Sequence, residues 1–295
     1  MAPSLNLSKV PMTPFRVMAV VAGFAAIFLV ISAIRTTGPQ QKLGAVFHHA
    51  SDAFKRDTMS RTMADANYWK NVKLEAEDLP ADIDQTAAKV QVHSKTVNIM
   101  GTNTFYREAH PPDGVSNSGE VVVLLHGAAF KSETWLNLNT INLLAAMGHR
   151  VVAIDLPGYG ETVRAQNVDN ADFLQEFLTK LEITRPVMVS PSMSGGFSIP
   201  YILKHPQALG GYVPVAPVDS IKIVPHASQI TIPTLIIYGS KDQSLGVESR
   251  KNLINIPTSQ AVELPEARHP AYLDRPKQFH TLLYNFIKQV HAHKV

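Results

Sequence analysis

The chain has no cysteine. Disulfides, thiolate metal sites and a thiol nucleophile are therefore excluded. Charge is sparse: Asp, Glu, Lys and Arg make up 17% of residues and the net charge is +3. No dense Lys/Arg block and no basic stripe interleaved with aromatics occurs, which sets nucleic acid aside as a partner. The chain also lacks an internal repeat and a low-complexity tract. The glycine-rich stretch Leu156-Pro157-Gly158-Tyr159-Gly160 does not follow the GxGxxG spacing, so it offers no dinucleotide site and reads as a turn that supports the fold. Nothing in the pattern calls for a metal or a resident cofactor.

What is present is a chain of 295 residues, 45% of them hydrophobic, enough to bury one large core. One long uncharged run stands out, Val17–Ile34, closed by Arg16 and Arg35. At the helical rise it spans about 27 Å, the lower limit for crossing a membrane. It reads as a transmembrane signal-anchor, with residues 1–16 as a cytoplasmic tail and the protein as a single-pass type II membrane protein. In that orientation the sequon at Asn6 faces the cytoplasm and stays unglycosylated. A cleavable signal ending near Ser32 and Ala33, followed by secretion, is the alternative, and a partly cytoplasmic location is a further one. Residues 35–88 read as a stalk, in which Tyr68-Trp69 rests on the membrane surface or docks on the domain. Residues 89–295 read as the domain itself.

Within residues 89–295 the pattern is regular. Lys89–Arg107 alternates apolar and polar residues twice and predicts an antiparallel ribbon. Continuous apolar strands follow at Glu120–Leu125, Arg150–Asp155, Val187–Ser190, Gly211–Ala216, Pro233–Gly239 and Gln260–Leu264. Helical segments separate them at Ser132–Met147, Asn170–Leu181, Ser192–His205, Ser244–Leu253 and Pro276–His291. This alternation implies an α/β fold: a mostly parallel sheet with helices on both faces. The short connection Pro217–Ile232 leaves no room for a large cap domain.

One turn organises the chemistry. Ser190-Pro191-Ser192-Met193-Ser194 has the form small–x–Ser–x–small between a buried strand and a helix, the arrangement of a nucleophile elbow. Serines replace the glycines usual on either side. The strand ends at Ser190, so the exposed corner falls at Ser192, the proposed nucleophile. Ser194 fits the same pattern but sits in the first helical turn, where capping or packing suits it better. Asp242, just past a strand, is the proposed acid, with a turn-capping aspartate as the plain reading and Asp219 as the competing acid. His269 lies before the last helix and is the proposed base, because histidine exchanges protons near neutrality. The order Ser…Asp…His is that of the hydrolase triad. His126-Gly127-Ala128-Ala129 follows the first core strand, and the backbone N–H groups of Ala128 and Met193 are the proposed oxyanion hole. His126 reads as structural, His280 and His291 as surface residues. Phe130, Trp135 and Tyr159 are candidates for the mouth of the site, with core packing as the plain reading and the favoured one for Trp135.

The order strand–HG, strand–DLPGYG, strand–SxSxS–helix, strand–YGSKD and a late His resembles the α/β-hydrolase superfamily over about residues 89–295. More closely, LLHGAAFKSETW, AIDLPGYGET, SPSMSGG, YGSKDQSLG and ARHPAYLDRP resemble the alpha/beta-hydrolase domain-containing protein 14 group. The apolar N-terminal run points to its membrane-anchored A form. The group resemblance implies a serine hydrolase. Its soluble B form implies lysine deacetylase-type transfer of acetyl to coenzyme A, which would make coenzyme A an acyl acceptor. The expected substrates are small esters, small acyl compounds or acylated proteins. A non-catalytic hydrolase fold that binds a protein partner is the reading from a different class.

Overall fold

The computed structural model describes residues 65–165 and 167–293. It opens with two short helices, α1 (Ala66–Asn71) and α2 (Ile83–Ala87). A hairpin follows, β1 (Val92–Ile99) and β2 (Thr102–Ala109). Its two-residue turn has positive φ at both positions, Met100 at 48° and Gly101 at 83°, which matches the twist of the paired strands. Then come β3 (Val121–Leu124), α3 (Ser132–Asn137), α4 (Thr140–Ala146), β4 (Arg150–Ile154) and α5 (Asn170–Lys180). The single helix predicted over Ser132–Met147 is two helices. Asn139 adopts the left-handed conformation at φ 64° and breaks it, a conformation that asparagine tolerates better than most residues.

The second half contains β5 (Val187–Pro191), a 3₁₀ turn at Ser192–Ser194, α6 (Gly195–Lys204) and β6 (Gly211–Val215). A 3₁₀ segment over Ser220–Gln229 fills the connection to β7 (Thr234–Gly239). The chain closes with α7 (Leu245–Leu253), β8 (Ser259–Leu264), α8 (Ala271–Asp274) and α9 (Pro276–Ala292). The eight strands form one sheet in the order β1-β2-β4-β3-β5-β6-β7-β8. The β1–β2 and β2–β4 pairs are antiparallel and all others parallel. No cap domain interrupts the β6–β7 connection.

The central strands are apolar on both faces because both faces are covered. Val122 and Leu124 point into one core, with Trp135, Phe279 and Phe286. Val123 and Leu125 point into the other, with Phe173, Phe177 and Tyr201. The period of two along a strand produces this split. Residues 65–88 pack on the domain: Trp69 is 2% exposed and its ring lies 5.7 Å from that of Phe286. Of the two places open to Tyr68-Trp69, it is the domain that they occupy.

The membrane expectation is corrected. Among the described residues no helix is long and apolar enough to cross a membrane, which removes the transmembrane, signal-anchor and single-pass type II assignments from what the structure supports. The physical reason shows in α9, which carries Lys277 and Lys288 and turns its apolar side, Phe279, Leu283 and Phe286, into the domain. The segment Val17–Ile34 and the tail before it lie outside the described residues.

His280 is a second correction. It is buried, not superficial, with Nε2 2.9 Å from the Thr140 hydroxyl. Burial pushes its pKa down to about 4. Between that value and the ordinary ~6.5 the unfolded chain binds a proton that the folded chain does not. Stability from this group is therefore complete above pH ~6.5 and is lost as pH falls toward 4, by roughly 3 kcal/mol. Urea midpoints measured across that window are expected to fall for the wild type. They should fall less for His280→Gln, which keeps a partner for Thr140 and does not titrate.

Candidate active site

The site lies at the carboxyl ends of the parallel strands, where β5 turns into α6. Ser192 sits at the corner with φ +51°, a left-handed conformation that costs a non-glycine residue about 1–3 kcal/mol. Its backbone is held afterwards by Val218, whose N–H donates to the Ser192 carbonyl at 2.9 Å. The small residues of the motif are small for a reason. A Cβ on Gly195 would run into the Val218 carbonyl oxygen. Ser190 and Ser194 are fully buried, and their hydroxyls find partners where glycines would leave none to be satisfied.

Ser192, His269 and Asp242 come together. His269 Nε2 lies 2.8 Å from Ser192 Oγ, and His269 Nδ1 lies 2.6 Å from Asp242 Oδ2. A carboxylate carries no proton, so Nδ1–H is the donor to Asp242. In neutral imidazole that leaves a lone pair on Nε2 facing the serine hydroxyl, which donates to it.

Asp242 is buried, and desolvation alone would raise its pKa. Hydrogen bonds from His269, the Gly246 N–H and Ser244 outweigh that, and its carboxyl lies below the ordinary value. A Cβ on Gly246 would stand 2.8–2.9 Å from the Asp242 side chain, so a glycine is required for α7 to approach the carboxylate. The His269 loop is braced by Arg268, which donates to Asp274 through its backbone N–H at 2.7 Å and its guanidinium at 2.6 and 3.0 Å. Asp219, the competing acid, pairs instead with Lys222 at 2.8 Å.

The loop after β3 faces the serine. A Cβ built on Gly127 would lie 3.5 Å from Ser192 Cβ. His126 is buried and ties this loop down at both ring nitrogens. Nε2 accepts from the Leu156 N–H at 3.0 Å, so the proton sits on Nδ1, which donates to the Gly127 carbonyl at 2.9 Å. The Gly127 carbonyl and the Ala128 N–H belong to one peptide plane and point opposite ways. Burial pushes the His126 pKa down, in keeping with a neutral ring. The Met193 N–H is among the first amides of its helical run, which the helix leaves without an acceptor.

Trp135 is a core residue, 1% exposed, its Nε1–H donating to the Leu125 carbonyl at 2.7 Å. Phe130 and Tyr159 are half-buried, and the Tyr159 ring meets His126 edge-on at 5.3 Å. Sequence reasoning missed Ser198, Tyr212 and Asp155. Asp155 accepts from the Ser132 N–H at 2.7 Å and the Glu161 N–H at 2.9 Å, joining the two loops that flank the site. DLPGYG marked that turn but did not disclose its partner.

Residues 122–230 match the model of the alpha/beta hydrolase family. Protein ABHD14A of Danio rerio is 43% identical over 194 residues, which are 63% of this chain and 72% of that protein. "Putative protein-lysine deacylase ABHD14B" of Homo sapiens is 39% identical over 210 residues, 68% of this chain and 98% of that protein. Among solved structures, a predicted CIB-like hydrolase from Thermoplasma acidophilum superposes with a TM-score of 0.62 at 24% identity. It covers 68% of this chain and 99% of its own, a likeness that speaks for the fold alone. Fold and sequence agree, and the chain belongs to the ABHD14 group of the alpha/beta hydrolase family.

Proposed function

We propose that the protein is a serine hydrolase that acts on small ester or acyl substrates through an acyl-enzyme. The observation that carries this reading is the hydrogen-bonded series Ser192 Oγ–His269 Nε2 and His269 Nδ1–Asp242 Oδ2, at 2.8 and 2.6 Å. His269 takes the Ser192 proton as Oγ attacks the acyl carbonyl, then returns it to the leaving group. Asp242 holds the ring in that tautomer and stabilises the imidazolium. The N–H groups of Ala128 and Met193 receive the oxyanion. Water, activated by the same imidazole, releases the acid.

The short β6–β7 connection leaves the site without a cap, which favours a small acyl group over a long lipid chain. A second reading draws on the lysine-deacylase name of the ABHD14B relative. In that reading the acyl group comes from a lysine side chain and passes to water or to the thiol of coenzyme A. A single substrate panel tests both. p-Nitrophenyl acetate is expected to turn over at least tenfold faster than a long-chain triglyceride; the reverse order overturns the small-acyl reading. An acetyl-lysine peptide yielding acetyl-coenzyme A in place of acetate selects the transferase.

A further inference from the structure

Three serines beneath the elbow, Ser190, Ser194 and Ser198, are completely buried, and Tyr212 reaches them from the neighbouring strand β6. Ser194 Oγ donates to the Pro191 carbonyl at 2.7 Å. Ser190 Oγ lies 3.1 Å from Ser194 Oγ and 2.7 Å from Ser198 Oγ. Ser198 Oγ lies 2.9 Å from the Tyr212 hydroxyl. Each hydroxyl has one proton to give. That of Ser194 is committed to Pro191, so Ser194 accepts from Ser190. Ser190 then accepts from Ser198, and Ser198 from Tyr212. The series runs one way, from the phenol to the carbonyl. Burial pushes the Tyr212 pKa up to about 12, against a smaller opposite pull from Ser198 and Ser190, so the phenol remains a donor at working pH.

The Pro191 carbonyl belongs to the peptide that joins it to Ser192. The orientation of that peptide is what the Ser192 φ of +51° measures. We propose that this hydroxyl chain, begun by Tyr212, positions the nucleophile by pinning the Pro191–Ser192 peptide at the angle that presents Ser192 Oγ to His269. The inference rests on Ser192 being the nucleophile. Tyr212, Ser198, Ser190 and Ser194 are positioning residues, held away from the surface. Polarisation along the series strengthens its last link, the one that bears on the elbow. Glycines at 190 and 194 would satisfy the crowding but have no proton for Pro191. Serine is small enough and also supplies the anchor.

The test is the acylation of the full-length protein by an alkyl fluorophosphonate. The maximal rate and the half-saturating concentration are measured for wild type, Tyr212→Phe, Ser194→Ala and the double variant. Each rate is corrected for folded fraction from its thermal melt. The maximal rate is expected to fall roughly tenfold or more in each single variant, with the half-saturating concentration unchanged. The double variant should be no slower than the slower single one, because both act in series through one carbonyl. Normal rates in the folded singles, with lowered melting temperature alone, mean a packing role and overturn the inference. Effects that multiply in the double variant do the same. Ser198→Ala breaks the chain in the middle and is expected to slow acylation likewise, which keeps the test decisive should Ser194→Ala not fold. Wild type that takes up no probe at Ser192 overturns the nucleophile reading and this inference with it. Labelling at Ser192 with unchanged rates in the variants overturns this inference alone.

Discussion

Ser192→Ala is expected to abolish fluorophosphonate labelling and to lower ester turnover by about 10⁴-fold or more, because the proposed mechanism forms its acyl-enzyme on Ser192 Oγ. Ser194→Ala should still be labelled at Ser192, more slowly. The two serines are therefore separated by whether the probe adduct forms, with its position read by peptide mapping. The fold should survive, since Ser192 is half-buried and, among the described residues, its hydroxyl bonds to His269 alone. A third variant makes the backbone part of the argument visible. Ser192→Gly suits a φ of +51° without strain, so it should be equally inactive yet melt higher than Ser192→Ala. If Ser192→Ala retains labelling and turnover, the nucleophile lies elsewhere.

The second large effect is expected from Asp242→Asn, a fall in kcat of about 10⁴-fold with the fold intact. The carboxylate accepts only, and so keeps the proton of His269 on Nδ1. An amide at the same place can also donate, which favours the tautomer with its lone pair turned away from Ser192. It also has no charge to offset the imidazolium. Asp219→Asn is the control: its carboxylate pairs with Lys222, and turnover should stay within about twofold of wild type. The pH dependence follows from the direction of the Asp242 shift. Its folded pKa lies below the ordinary value, so its stabilising charge is present above the unfolded pKa and is lost only as pH falls through the lower folded one. Acid loss of activity above pH ~4 therefore has another source. A full-strength Asp242→Asn, or an equal loss in Asp219→Asn, would reassign the acid.

Much of the fold was legible because its periodicity is simple. The central parallel strands β3, β5 and β7 are almost wholly buried and read as short, nearly continuous apolar runs. The β1–β2 hairpin read as an antiparallel ribbon from two stretches of alternating apolar and polar residues, while the position of its turn, at Met100 and Gly101, comes from the structure. The three residues of the candidate site, Ser192, Asp242 and His269, were legible as neighbours for a related reason: each falls past a strand end, where the chain must turn and side chains meet. What was not legible depends on contacts between distant segments. Asn139 breaks a helix whose apolar spacing continues through it. His280 lies in an amphipathic helix that looks half-exposed, and only Thr140, on another helix, shows which side it occupies. Trp69 looked like part of a stalk because its partner Phe286 lies far along the chain. The serines at 190 and 194 looked like a weakened motif for the same reason, since Tyr212 sits on a different strand.

The short link between β6 and β7 also bears on the fate of an acyl group held on Ser192. A capped hydrolase can close, shut out bulk water and let a chosen acceptor react in private. No cap is present among the described residues, so on the proposed mechanism water would compete at every turnover. Any other acceptor would gain its share by concentration and residence near the serine, not by being sealed in. The split between free acid and transferred acyl group would then rise smoothly with acceptor concentration, and the cell's supply of that acceptor, not a movement of the protein, would decide the product.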